Sequence, residues 1–588
     1  MMQSRRRLAV VVLAVGLAGA TQGMAGAADP TDPIRLTKPV RATEFDINPA
    51  RTYLTPYFAI DPDDPLRVVA ALHESRTRRC GLMRSTDGGQ TWTRPDSSPS
   101  PPSYPFCLMT NSHTFQGKVE FGRNGDLYYA LAGWDTQDLP KRSLFLARSS
   151  DLGDTWATTP VSDARPTQAP DNIDERPLSG FAVDTKSGNQ DAIYVGWRRQ
   201  FPGQTGSNAH ANRPMVAVST DGGRSFGQPV DLAPTVFGDE AKRREALGSA
   251  PPRSTPTPTT IPGPGPAEAT TTTAVPATTT TTVPPNSRAA NQSDIGNYGG
   301  SNPSVAVDDD GNAYVAWVTR YANLTPSPRT AHFLSRSTDK GRTWTTSQIT
   351  PFTAENVNNF GSMQLQWSPE GGEQGSLHMV YEGSKRPDVS NETDVFYVRS
   401  TDAGRTWTEP KAINDDDPAK YNSSLIPNLR VAPNGRLDAV WFDTRDDPGV
   451  TANDVYHASS TDNGNTWSKN TRVTDRSIDR RFGPFAANFD LNGPPALDTV
   501  DAYGLVGWDD TRLGDPTTET QDVFVAAVQY SEVGGESRAL SYVFAGVIGL
   551  LAVGLILLLG SLATRKRNGS TGPSTGATAG ETQKASTR

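Results

Sequence analysis

Four segments of the chain place arginine shortly after tryptophan: Trp441-Phe442-Asp443-Thr444-Arg445, Trp508-Asp509-Asp510-Thr511-Arg512, Trp197-Arg198-Arg199 and Trp317-Val318-Thr319-Arg320. These residue types suit recognition of an acidic, sugar-like ligand. Guanidinium groups bind carboxylates in bidentate fashion, so convergence of Arg199, Arg320, Arg445 and Arg512 would make an anion clamp. A carboxyl group beside the clamp, Asp443 or Asp509, can hand a proton to a leaving glycosidic oxygen, and the rings of Trp441 and Trp508 can stack on a sugar face. Glu74-Ser75-Arg76 and Glu382 with Arg386 are weaker versions of the pattern. A structural reading competes with the chemical one. Because the pattern recurs, each arginine would pair with a neighbouring aspartate to tie units together, and each tryptophan would pack between sheets.

The elements that must position these residues are announced by a repeated octapeptide, Ser-x-Asp-x-Gly-x-Thr-Trp. It begins at Ser85, Ser149, Ser219, Ser337, Ser400 and Ser460, with aspartates Asp87, Asp151, Asp221, Asp339, Asp402 and Asp462; only the third copy departs, closing in Ser225-Phe226. The spacing is about 60–70 residues, stretched to about 120 in the middle, which signals an array of similar supersecondary units. Asp and Gly two apart make a tight turn, so the box is a hairpin corner whose tryptophan can pack between neighbouring sheets. Each box is preceded by a hairpin, clearest from Pro303 to Trp317, where two apolar alternations flank the turn Asp308-Asp309-Asp310-Gly311-Asn312. That acidic turn lacks the distal glutamate of a calcium loop and reads as a solvated corner. Four antiparallel strands per unit is the anatomy of a propeller blade, and the chain therefore reads as all-β. The stretch from Phe485 to Gln529 repeats the hairpin pattern without a box, so seven blades are expected, or six if the terminal units combine. The box is the third turn of its blade and shares a face with the first turn. Ligand residues are therefore expected on the opposite face, at the ends of second strands.

The recurrent box resembles the Asp box of the sialidase (neuraminidase) superfamily, also called the BNR repeat, and the six copies extend the resemblance from about Thr52 to Tyr530. It implies a β-propeller and, for function, a glycan-binding protein or an exo-acting glycoside hydrolase. The box itself marks a blade corner and carries no chemistry. The family's catalytic pattern has an Arg-Ile-Pro in the first blade, two further arginines, a proton-transferring acid, and a tyrosine nucleophile with a glutamate partner. The first unit here has no Arg-Ile-Pro; the nearest match is Asp174-Glu175-Arg176-Pro177 in the third unit. Tyr298 and Tyr421, in blade-to-blade crossings, are the tyrosines in place to act as nucleophile. The hydrolase version uses Arg176, Arg445 and Arg512 as carboxylate clamp and Asp443 or Asp509 as acid/base. The departures favour a binding propeller that recognises a glycan or other cell-envelope ligand.

Length and charge agree: 588 residues with a net charge of −8 suit an acidic ectodomain and exclude a nucleic-acid binder. Arg5-Arg6-Arg7, the apolar run Leu8 to Ala20 and the small-residue exit near Ala27 read as an export signal over residues 1–27. Residues 542–563 form an uncharged span of about 33 Å if helical, followed by Arg565-Lys566-Arg567. The positive flank belongs inside, which leaves a cytoplasmic tail over 564–588 and the propeller outside. A Pro/Thr-rich insertion at 248–291 separates units one to three (28–247) from units four to seven (292–532). The two cysteines, Cys80 and Cys107, suggest a disulfide contributing roughly 3–4 kcal/mol. The six histidines have no ligand spacing, so neither a metal site nor a cofactor is expected.

Overall fold

The computed structural model describes residues 34–43, 52–74, 79–95, 106–107, 117–134, 142–162, 174–202, 210–232, 303–321, 329–351, 353–354, 362–386, 392–447, 451–483, 493–514 and 520–530. The export signal, the insertion, the apolar span at 542–563, the tail and Tyr298 lie outside the described residues. Among those described, no helix is long and apolar enough to cross a membrane.

The chain forms seven antiparallel sheets arranged as the blades of a propeller. The innermost strands are Tyr53–Ile60, Lys118–Phe121, Asp174–Asp184, Ser304–Val307, Met363–Ser368, Ser424–Val431 and Ala496–Thr499 in blades one to seven. Each touches the next, and the seventh touches the first, so the ring is closed. Closure explains the missing seventh box. Blade seven has Ala496–Thr499, Tyr503–Asp510 and Asp522–Tyr530, and its outer edge is covered by Ile34–Leu36 and Val40–Arg41 from the other end of the chain. With no third turn of its own, the blade has no place for a box.

The six boxes are built alike. In the first, Ser85 Oγ donates to Asp87 Oδ1 at 2.7 Å and accepts from Gly89 N at 2.9 Å. Thr91 donates its amide to Oδ1 at 2.9 Å and its hydroxyl to Oδ2 at 2.6 Å. The same bonds recur at Asp151, Asp221, Asp339, Asp402 and Asp462. The residue before the box glycine is left-handed in every copy, including Leu152, Lys340, Ala403 and Asn463, and so is the glycine. The corner is thus a double left-handed turn in which the aspartate supplies the acceptors. At Asp151 the Thr155 hydroxyl and then its amide hold the carboxyl down to about 2. Each box aromatic packs into the apolar layer shared with the preceding blade, as Trp156 does between blades one and two and Trp467 between blades five and six.

The box aspartate is thereby a structural group. Asp402→Ala removes the acceptor for Ser400, Arg405 and Thr406. It is expected to lower stability by about 1–2 kcal/mol, read as a lower urea midpoint. An unchanged midpoint would show the corner to be held by its glycine and aromatic alone. Cys80 is disulfide-bonded, and Cys107 is the chain's other cysteine.

Candidate functional site

The ends of the second strands do not present a clamp. In blade six Trp441 Nε1 donates to Asp443 Oδ2 at 2.9 Å. Arg445 donates its amide to Oδ1 and its guanidinium to Oδ2, each at 2.8 Å, and Ser424 Oγ adds a bond at 3.0 Å. Blade seven repeats this: Trp508 Nε1 and the Arg512 guanidinium reach Asp510 Oδ2 at 2.8 and 2.7 Å. Arg445 extends to Asp415 at 2.7 Å and Arg512 to Asp475 at 2.7 Å, both in the crossings that lead into or out of blade six. Asp443 and Asp510 are buried, as are Trp441 and Trp508.

These contacts correct the expected roles. Arg445 and Arg512 grip the protein's own carboxylates, and the indoles of Trp441 and Trp508 sit in the sheets where no sugar can stack. Asp443, with four donors on two oxygens, has no vacancy for proton transfer. Asp509 faces the other side of its strand, where Arg480 and Gln521 hold it. Tyr421 is exposed, at 58 %. Arg176, Arg199 and Arg320 lie on strands of blades three and four, Arg176 opposite Arg198 at a register shift that includes Pro177; of their side chains nothing is described. The acidic turn at Asp308 closes on itself, the carboxylate accepting from Asn312 N at 2.7 Å and Tyr314 Oη at 2.9 Å.

A different constellation gathers at the axis, supplied by the innermost strands of blades one, two, six and seven. Lys-Val-Glu-Phe in blade two alternates: Val119 and Phe121 enter the apolar layer against blade one, and Lys118 and Glu120 face the other way. In blade six Leu429 joins the core and Arg430 points opposite. Tyr57 follows a bulge between Leu54 and Tyr57 that contains Pro56, and a second bulge between Leu425 and Asn428 contains Pro427. Proline removes a ladder hydrogen bond, so such strands tolerate it at bulges, which re-aim the side chains that follow.

The polar groups meet across the ring. Tyr57 Oη donates to Glu120 Oε1 at 2.8 Å. Arg430 donates to Tyr57 Oη and, at 3.2 Å, to Glu120 Oε1, and its Nε lies 3.5 Å from Asp498 Oδ1. Lys118 Nζ stands 3.9 Å from the centre of the Tyr57 ring, and the Arg430 guanidinium 5.0 Å. Asp498 also accepts the Ile60 amide of blade one at 2.6 Å. The Glu120 and Asp498 side chains keep 26 % and 18 % exposure, so solvent reaches the cluster on their side. Burial raises the Tyr57 phenol above its usual value. Burial, then Arg430, holds the Lys118 ammonium well below its own. Burial pushes Asp498 up to about 7, against Arg430 and with Glu120.

Asp498 therefore sets a pH dependence. It keeps in the folded chain a proton that an unfolded aspartate has already released, so its contribution to stability falls as pH rises from about 4 to about 7. Asp498→Asn is expected to gain on the natural chain over that window, by a few kcal/mol, with a constant offset below pH 4. Urea midpoints of both proteins at pH 4, 5.5 and 7 check this; parallel curves would sink it.

Six boxes on a closed ring of seven blades define an Asp-box β-propeller. The family described as BNR/Asp-box repeat matches residues 83–94, the first box. Among curated proteins none matches the sequence. Among solved structures the chain is similar to the Hadza microbial sialidase Hz136, with 15% identity over 79% of this chain and 74% of that one and a TM-score of 0.38. It is similar to the Penicillium chrysogenum alpha-L-arabinanase complexed with arabinobiose, with 14% identity over 70% and 94% and a TM-score of 0.35. It is also similar to the Trypanosoma rangeli sialidase, with 12% identity over 71% and 55% and a TM-score of 0.36.

Proposed function

We propose that this Asp-box propeller is a membrane-anchored ectodomain that binds a glycan or another cell-envelope ligand at its axis without cleaving it. The state of Tyr57 carries the reading. A nucleophile must be reachable and must lose its proton easily; Tyr57 is buried, covered by Lys118 and Arg430, and its phenol is harder to ionise than in water. The remaining groups at the axis are those that hold ligands: two cations, two partly exposed carboxylates and a ring. The export signal, the apolar span and its positive flank support placing the propeller outside the cell. The reading uses no cofactor and no nucleic acid.

A second reading, an exo-acting glycoside hydrolase, is favoured by one observation. A tyrosine bonded to a glutamate at 2.8 Å stands beside a carboxyl group pushed up to about 7, so nucleophile, partner and proton donor share one place. The test offers the full chain in detergent both envelope polysaccharides and fluorogenic sialosides and arabinofuranosides between about pH 4 and 8. Binding without turnover supports the first reading. Turnover abolished by Tyr57→Phe supports the second, and neither binding nor turnover removes both.

A further inference from the structure

Lys118 is the one member of the axial cluster whose charge is not answered. Its side chain is buried, yet among the described residues no carboxylate stands within 4.0 Å of its ammonium, and what faces the ammonium is the ring of Tyr57 at 3.9 Å. Arg430, the other cation, has Glu120, Asp498 and the Tyr57 hydroxyl for itself. A buried lysine without an anion is costly, and selection for stability alone would replace it with an apolar side chain. The open side of the cluster, along Glu120 and Asp498, gives a ligand its way in.

We infer that Lys118 is an anion receptor: the axial cluster accepts one carboxylate of an acidic saccharide, a uronate, and accepts it together with a proton. The inference rests on the reading that the axis is the ligand site. The proton follows from the surroundings. The groups facing Lys118 are Tyr57 from blade one, Glu120 from its own strand, Arg430 from blade six and, beyond Arg430, Asp498 from blade seven. Burial and Arg430 keep the empty lysine short of its full charge, and a carboxylate beside it restores that charge. The same carboxylate disfavours the ionised form of Asp498. Both responses take up protons, so affinity falls as pH rises through neutrality.

The test is calorimetric titration of the full chain in detergent with galacturonate and with galactose, at pH 7 in two buffers of different ionisation enthalpy. The expected result is a preference for galacturonate of at least about tenfold, with proton uptake seen as a buffer-dependent heat. Lys118→Met is expected to abolish the preference while melting no lower than the natural chain, since a buried cation has been removed. Galactose bound as tightly as galacturonate, or a buffer-independent heat, overturns the inference and leaves the axial glycan site standing. A preference that survives in Lys118→Met overturns it too. Binding of neither sugar overturns both the inference and the axial reading.

Discussion

Arg430→Ala is expected to destabilise the propeller by about 3–5 kcal/mol, the largest effect of any single side chain at the axis. Arg430 belongs to blade six but bonds to Tyr57 in blade one and Glu120 in blade two, and it lies 3.5 Å from Asp498 in blade seven. It is thus the one described side chain of the cluster that reaches three other blades, and its removal leaves two carboxylates in a low-dielectric setting without their cation. The cost comes mainly from those orphaned groups and only secondarily from lost packing. Arg430→Met with Glu120→Gln and Asp498→Asn should therefore recover most of it, which a triple-mutant comparison of urea midpoints reads directly. If Arg430→Ala alone leaves the midpoint within about 1 kcal/mol of the natural chain, water already satisfies the carboxylates and the axis is wetter than their burial implies.

The blade architecture was legible because its signals are local. A box of eight residues carries its own turn, acceptors and aromatic, and the hairpin before it alternates with period two, so both survive in the sequence unaided by tertiary context. The seventh blade hid half of itself, since the strands that cover it, Ile34–Leu36 and Val40–Arg41, are short and sit at the far end of the chain. The second-strand pattern was visible and misassigned. Trp441, Asp443 and Arg445 are spaced i, i+2, i+4, which on an extended segment puts all three on one side, within reach of one another. They satisfy each other before any ligand can, and Trp508, Asp510 and Arg512 do the same. Asp509 is one residue out of phase, which is why it meets Arg480 instead. The axial cluster left only a faint trace: one polar residue in each of several short apolar inner strands, such as Arg430 in Ser424–Val431 and Asp498 in Ala496–Thr499. A charge in such a strand must face an axis, a partner or solvent, and that is the signal that would have found it. What no spacing reveals is that residues as far apart as Tyr57 and Arg430 converge, because ring closure brings them together and closure is a property of the whole chain.

Closure is also where the fold is most exposed to a single cut. Removing residues up to Thr43 is expected to cost about 5–8 kcal/mol, taking about 1 kcal/mol for each hydrogen bond lost. Thr37 exchanges bonds with Ala527 at 2.9 and 2.8 Å, and Ala42 N reaches Val523 O at 2.8 Å. Arg41 and Thr43 both hold Asp522, at 2.6 and 2.7 Å. Without them the strand Asp522–Tyr530 becomes a free edge whose run Val523-Phe524-Val525-Ala526-Ala527-Val528 is apolar, the type of edge that pairs with other chains. The truncated protein should therefore melt earlier and elute as oligomers in size-exclusion chromatography, and Asp522→Asn, which keeps the strand pairing, should show a smaller loss and stay monodisperse. A truncation that melts with the natural chain would mean that the ring is held by its inner strands alone. In that case the N-terminal strands would be a cover for the edge, and only the elution profile would change.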